Sequence, residues 1–227
     1  MKPYYQNKLG SIYNADCLDL INFLDNTGVK VDMVLTDPPY GIGENANHNN
    51  SRGKAAKPTD YKEIEYLDRK LSKTQMHAIK YSANKLIIFG GNYYGSILGD
   101  TSCYIVWDKN NTGDFADAEL AWTNFDKATR IVKYTWNGMI QENMGDGKEK
   151  RYYPTQKPLG LFRWILEKYA NANDLILDPC CGSGTTGLAC EDLGLKYILG
   201  DSNEKACEIA ANRISKQGIQ LKLPGVK

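Results

Sequence analysis

The segment from Ile176 to Cys190, ILDPCCGSGTTGLAC, constrains the fold more than any other part of the chain. Leu175 to Asp178 reads as a buried strand, and TTGLACEDLG as a helix. Between them Gly182, Gly184 and Gly187 have the G-x-G-x-x-G spacing. A glycine-rich turn from strand to helix is where α/β proteins hold a cofactor. After it only one strand, Lys196 to Asp201, and one helix, Asn203 to Lys216, are expected. These cannot form a sheet by themselves, because buried parallel strands need neighbours. Strands from the N-terminal half must complete the same sheet, which makes residues 1–227 one α/β domain.

The second informative stretch is Val31 to Gly43, VDMVLTDPPYGIG. Val31, Met33, Val34 and Leu35 form an apolar, partly β-branched run that reads as a buried strand. Two prolines end it, since neither has an N–H for a neighbouring strand. Asp37 therefore sits at the carboxyl end of a strand, where open α/β sheets bind ligands. The Asp37 carboxylate and the Pro38 carbonyl are acceptors that can take both hydrogens of an exocyclic NH₂ group. That orients the nitrogen lone pair toward an electrophile and stabilises the positive charge that builds on it. Tyr40 offers a flat face for a base. The plain alternative is a rigid strand-ending turn with an aromatic lid. For the glycine segment, the alternatives are a tight turn using glycine for positive φ and a nicotinamide-binding turn. Asp201, ending the next strand, can accept bonds from ribose hydroxyls.

Elsewhere the pattern predicts a strand over Gly10–Asp16 and a helix over Leu18–Leu24 with Leu18, Ile21 and Leu24 inward. Residues 44–60 are polar and carry Arg52, Lys54 and Lys57, which reads as a mobile loop beside the site. Helical spacing runs from Glu63 to Ala83, with Ile64, Leu67, Leu71, Ile79 and Tyr81 inward. Lys85–Phe89 reads as a strand, Tyr94–Leu98 as a short helix, and Cys103–Trp107 with Ala118–Trp122 as a hairpin. Thr129–Trp136 alternates as a further strand, and Pro158 starts an amphipathic helix in TQKPLGLFRWILEKYA. Net charge is only +1, so any basic footprint for nucleic acid must be local. The six cysteines include no Cys-x-x-Cys, and the only histidines are His48 and His77, spacings that argue against a zinc site. No signal-peptide core and no membrane-length apolar run are seen, so the expectation is a cytoplasmic protein with free thiols.

In the content and order of its motifs the chain resembles the S-adenosylmethionine-dependent DNA amino-methyltransferases, the N6-adenine and N4-cytosine family, in the β order with the catalytic turn first. The resemblance rests on DPPYG at Asp37–Gly41, TQKPL at Thr155–Leu159 and DPCCGSGTT at Asp178–Thr186. NADCL at Asn14–Leu18, FGGNYY at Phe89–Tyr94 and VWDK at Val106–Lys109 are also similar. It covers nearly the whole chain. It implies a doubly wound, mostly parallel seven-strand sheet with one antiparallel hairpin, the permuted class I methyltransferase fold.

The resemblance also implies S-adenosylmethionine as cofactor and DNA as partner, with no membrane; a homodimer is left open. Asp178, Pro179, Cys180, Gly182, Ser183, Gly184 and Thr185 would hold the methionine part of the cofactor. Asp201 would hold its ribose, and Asp16 would lie near its adenine, with Cys17 and Ser202 beside them. Thr155, Gln156, Lys157 and Pro158 would line the same pocket. Many family members have Phe where this chain has Cys180, which removes an aromatic wall. Asp37, Pro38, Pro39 and Tyr40 would hold a flipped base, most simply adenine at N6, since Ser at the first motif position leans toward cytosine N4. The candidate target-reading region is 127–153. Its Lys148, Lys150 and Arg151, like Arg52, Lys54 and Lys57, would contact phosphates or form an ordinary solvated face. Two other classes remain open: a nicotinamide oxidoreductase, which leaves DPPY and TQKP idle, and a catalytically silent nucleic-acid-binding module.

Overall fold

The apolar runs become the centre of one sheet. A computed structural model of the chain describes residues 1–43, 68–111, 116–136, 140–142, 144–146 and 148–220. In chain order the strands are β1 (Tyr5–Gln6), β2 (Gly10–Asn14), β3 (Val31–Thr36), β4 (Ala83–Phe89), β5 (Tyr104–Asp108), β6 (Ala118–Thr123), β7 (Arg130–Lys133), β8 (Leu175–Asp178) and β9 (Lys196–Asp201). The helices are α1 (Cys17–Asn26), α2 (Lys73–Tyr81), α3 (Gly95–Leu98), α4 (Leu159–Tyr169), α5 (Thr185–Leu193) and α6 (Glu204–Gln220).

The sheet order is β1-β2-β9-β8-β3-β4-β6-β5-β7. β2, β9, β8, β3 and β4 are parallel. β6 is antiparallel to both β4 and β5, which is the expected hairpin. Among the described residues the sheet has nine strands rather than seven: β1 pairs antiparallel with β2, and β7 lies parallel to β5, each extending an edge. β1 is only two residues long, too short for any periodicity to announce it.

Side chains alternate across the central strands. Met33 and Leu35 of β3, Ile87 and Phe89 of β4, Ile176 of β8, and Tyr197 and Leu199 of β9 enter one core layer with α4, α5 and α6. Val34, Leu86, Ile88, Leu177 and Ile198 enter the opposite layer with Leu20, Ile21 and Leu24 of α1 and Met76 and Ile79 of α2. Burial on both faces is why these strands read as continuous apolar runs rather than as alternating ones.

Some boundaries move. The helical pattern over 63–83 becomes a helix only over Lys73–Tyr81. It is started by a capping box in which Ser72 and Gln75 bond each other's backbone N–H. Tyr81 is 75% exposed rather than inward, and Ala83 already belongs to β4. Ile64 and Leu67 lie outside the described residues. β7 is shorter than the Thr129–Trp136 pattern, and Asp16 leaves its strand to cap α1, accepting from Leu18 N–H at 2.8 Å. No helix among the described residues is long and apolar enough to cross a membrane. β8 and β3 are adjacent although far apart in sequence, and from them the chain winds in opposite directions along the sheet. The crevice at such a switch point is where this architecture binds ligands.

Candidate active site

The carboxyl ends of β3 and β8 bring the two motifs together. Asp178 ends β8 with its carboxylate fully occupied: it accepts from the hydroxyls of Thr36 at 2.7 Å and Thr186 at 2.5 Å, and from Cys180 N–H at 3.2 Å. Thr36 is the residue before Asp37, so this bond fixes the DPPY corner against the glycine turn. Burial raises the Asp178 carboxyl to about 7, although the two threonine hydroxyls pull against it. Asp178 thus organises the turn rather than presenting a free acceptor.

The DPPY corner is held from its other side by Tyr94, fully buried, whose hydroxyl donates to the Pro39 carbonyl and accepts from Leu71 N–H. The Asp68 carboxylate receives Gly41 N–H and Gly43 N–H, both at 2.7 Å. Pro38 is buried, and its carbonyl receives no hydrogen bond among the described residues.

Asp37 is the centre of a charged cluster. Its Oδ2 pairs with Lys157 Nζ at 2.5 Å and its Oδ1 accepts the Tyr40 hydroxyl at 2.5 Å. Lys157 Nζ is also 3.2 Å from Glu119 Oε2, and Glu119 Oε1 pairs with Lys109 at 2.5 Å. Burial raises the Asp37 carboxyl, with Lys157 pulling it down and Glu119 pushing it up. Burial also pushes Glu119 upward, but the ammonium groups of Lys157 and Lys109 outweigh it and hold Glu119 at about 2. Burial lowers Lys157, and the two carboxylates more than reverse that, so it remains an ammonium.

Lys157 is therefore directed at Asp37, whereas the motif resemblance groups it with the cofactor residues. Glu119 carries no signal in the sequence: it is one polar residue in a strand, and only the β5–β6 register, Trp107 opposite Glu119, brings it beside Lys109. Tyr40 is also more enclosed than a free stacking face. Its ring stacks on Tyr93 with centroids 5.1 Å apart and planes 21° apart. Gly90, at φ +61°, lies so close that a Cβ there would sit 2.0 Å from the Tyr40 ring.

The cofactor residues of the sequence reading lie along the same sheet end. Asp201 accepts from Gly182 N–H and Asn203 N–H, each at 2.9 Å, and so ties the glycine turn to β9. Gly184 takes φ +75°, and a Cβ there would meet Ala210 of α6 at 2.6 Å. Arg213 of α6 donates to the Ser183 carbonyl at 2.7 Å, an anchor the sequence does not announce. Asp16 accepts from Leu18 N–H and Gln75. Gln156 is turned into the protein, accepting from Tyr152 N–H and donating to Glu149 and to the Lys150 carbonyl. Cys17 is buried, with Cys180 packed against the same core layer, and all six cysteines are free.

A cleft remains between Asp37 and Lys157 on one side and Gly182, Ser183 and Thr185 on the other. Its chemistry suits a ligand with an anionic end and hydroxyls. The first amides of α5 have no partner one turn back and favour a carboxylate, and Asp201 is an acceptor. These features fit S-adenosylmethionine.

Among the candidate phosphate contacts, Lys148 and Lys150 are exposed, while Arg151 is half-buried with its guanidinium 4.6 Å from the Trp136 ring centre. Part of 127–153 is strand β7. The residues 44–60, with Arg52, Lys54 and Lys57, lie outside the described residues.

Comparison with known proteins agrees with this geometry. A family model described as DNA methylase (N6_N4_Mtase) matches residues 106–212. Type II methyltransferase M2.LlaDCHI of Lactococcus lactis subsp. cremoris is 25% identical over 95% of this chain and 93% of its own length. The crystal structure of the M1.HpyAVI–SAM complex shares 26% identity and a TM-score of 0.59, covering 90% of this chain and 100% of that one. PvuII DNA methyltransferase (cytosine-N4-specific) shares the fold at a TM-score of 0.59 with 13% identity, covering 100% of this chain and 91% of that one. In motif order, in a sheet whose switch point joins Asp37 to the glycine turn, and in relatives matched over nearly their full length, the chain is similar to the N6/N4 DNA methylases.

Proposed function

We propose that the protein methylates adenine N6 in DNA, with Asp37 and the Pro38 carbonyl as the acceptors of the target amine and S-adenosylmethionine as methyl donor. The observation that carries this reading is the position of those two acceptors. Asp37, which follows β3, lines the cleft opposite Gly182, Ser183 and Thr185, and Pro38 is the next residue.

A base inside a duplex cannot present its amine to that cleft and must be flipped out, at a cost of a few kcal/mol. Tyr93, 39% exposed and stacked on the enclosed Tyr40, supplies stacking surface that offsets about 1–3 kcal/mol of this. Asp37 and the Pro38 carbonyl then accept one amine hydrogen each, so the nitrogen lone pair faces the cofactor side of the cleft. When bound, S-adenosylmethionine supplies an electrophilic methyl group on a sulfonium. Positive charge developing on the nitrogen falls beside the Asp37 carboxylate, and stabilisation of that charge with positioning supplies the catalysis. The proton released from nitrogen passes to Asp37, whose burial makes it a better base than an exposed aspartate.

Asp37 in place of Ser supports adenine over cytosine. The test is incubation with labelled S-adenosylmethionine and DNA from a methylation-free host, followed by digestion to nucleosides. N6-methyladenine is expected from the wild type and none from Asp37→Ala with its cofactor affinity retained. Label in N4-methylcytosine alone refutes the choice of base, and no DNA label refutes the reading as a whole.

A further inference from the structure

Both oxygens of Asp37 are already in use. Oδ1 holds the Tyr40 hydroxyl and Oδ2 holds the Lys157 ammonium. An amine arriving at Asp37 competes with that buried ammonium for the carboxylate's charge and for its acceptor positions. Lys157 has a place to go. Its Nζ already lies 3.2 Å from Glu119 Oε2, and Glu119 is anchored through its other oxygen by Lys109. The Lys157 side chain is only 9% exposed, so solvent does not offer an easy alternative. An ammonium is also the closest chemical likeness a protein has to an amine nitrogen acquiring positive charge.

We propose that Lys157 is a displaceable stand-in for the substrate amine. It occupies the amine site on Asp37 in the free protein and is transferred to Glu119 when the target base arrives. Glu119, fixed by Lys109, is the positioning residue that makes this exchange favourable. The inference rests on the reading of Asp37 as amine acceptor. It extends that reading by assigning the cost of opening the site to one lysine and the compensation to one glutamate. While Lys157 holds Asp37, the buried carboxylate keeps a counter-ion, so the empty site does not carry an unpaired charge.

The proposal predicts a specific coupling between Glu119 and Lys157. With Glu119 removed, the displaced lysine has no partner, so amine binding weakens. With Lys157 also removed, nothing has to be displaced, and Glu119 acts on the site only through its repulsion of Asp37 and its 3.3 Å contact with the Tyr40 hydroxyl. The probe is a duplex carrying the mapped target nucleotide, or its des-amino analogue, opposite an abasic position so that pairing costs drop out. Affinities are read by fluorescence anisotropy with a non-reactive S-adenosylmethionine analogue present. The ratio between the two duplexes isolates the amine.

Glu119→Gln should shrink that ratio about tenfold or more, the scale of a charged hydrogen bond. In the Lys157→Met background the same Glu119→Gln change should shrink the ratio several-fold less, the non-additivity expected of residues that share a partner. Equal losses in both backgrounds, or none in either, overturn the exchange. A wild-type ratio of one overturns the amine-acceptor reading itself, and is recognised before any variant is made. Thermal melts establish that the variants fold. Should Glu119→Gln lose its cooperative melt, Glu119→Asp, which keeps the charge but withdraws it by one methylene, is read by the same comparison.

Discussion

Replacing Gly90 by alanine tests whether the position of Tyr40 is what the site depends on. Gly90 is left-handed at φ +61°, ψ 18°, and a Cβ there would lie 2.0 Å from Tyr40 Cε1. Ordinary carbon contact begins near about 3.5 Å, so the ring must retreat by roughly 1.5 Å. The Tyr40 hydroxyl is bonded to Asp37 at 2.5 Å, and a retreat of that size breaks the bond. Two costs follow. Left-handed backbone costs alanine about 1–2 kcal/mol, and overpacking adds about 1–3 kcal/mol. Gly194 separates them: its φ +66°, ψ 24° is nearly the same conformation, and an added Cβ there meets nothing within 4 Å. Gly194→Ala therefore reports the backbone cost alone. Gly90→Ala should melt lower than Gly194→Ala by several degrees, at about 2–4 °C per kcal/mol for a chain of this size. Its methyl transfer to DNA should fall on the order of a hundredfold, the scale for an ångström of misplacement. Cofactor affinity by calorimetry should stay near wild type, because Gly90 does not line the cofactor cleft. If the two variants melt alike and Gly90→Ala methylates at the wild-type rate, the enclosure of Tyr40 has no role in the site.

Asp201→Ala should weaken S-adenosylmethionine binding by about 1.5–3 kcal/mol by calorimetry and also lower the melting temperature, since Asp201 ties Gly182 to β9; unchanged affinity removes it from the site. Asp178 gives a pH-dependent signature. Its folded carboxyl, raised by burial to about 7, lies above its ordinary value of 3.8. Its contribution to stability is fully present below the ordinary value and is lost as pH rises through about 7. The stability of wild type relative to Asp178→Asn in urea melts should accordingly fall from acid to neutral pH by up to the order of 4 kcal/mol, and a pH-independent difference contradicts this. Neutralising Arg52, Lys54 and Lys57 together should weaken DNA binding and flatten its salt dependence, by up to about 0.9 in slope for each phosphate the protein no longer neutralises. An unchanged slope excludes them from the interface.

Much of the fold was determined by the sequence alone, for a simple reason. Strand-forming runs such as MVLT and LIIF, and the glycine turn between β8 and α5, are local patterns, and local patterns survive without tertiary context. The order of the motifs then required a single sheet, because one trailing strand and helix cannot bury their own faces. The likeness to DNA methylases, the glycine turn and the place of Asp37 at the end of a strand were legible for that reason. Weak or short signals were not. β1 has too few residues for a period, and the helical spacing ahead of Ser72 does not predict where α2 begins.

The tertiary structure alone decided how Asp37 is held. Glu119 reaches the site through the β5–β6 register, Thr36 reaches Asp178 through the adjacency of β3 and β8, and Lys157 comes to Asp37 from 120 positions away in the chain. None of these pairings has a periodicity or a spacing. Each depends on which strands are neighbours and in what register, and hence on burial of two apolar layers summed over the whole sheet. The same applies to charge. A carboxylate with raised affinity for protons beside one held at about 2 cannot be told apart in sequence, where both are single acidic residues. Their difference arises from how many ammonium groups the packed sheet places within reach of each.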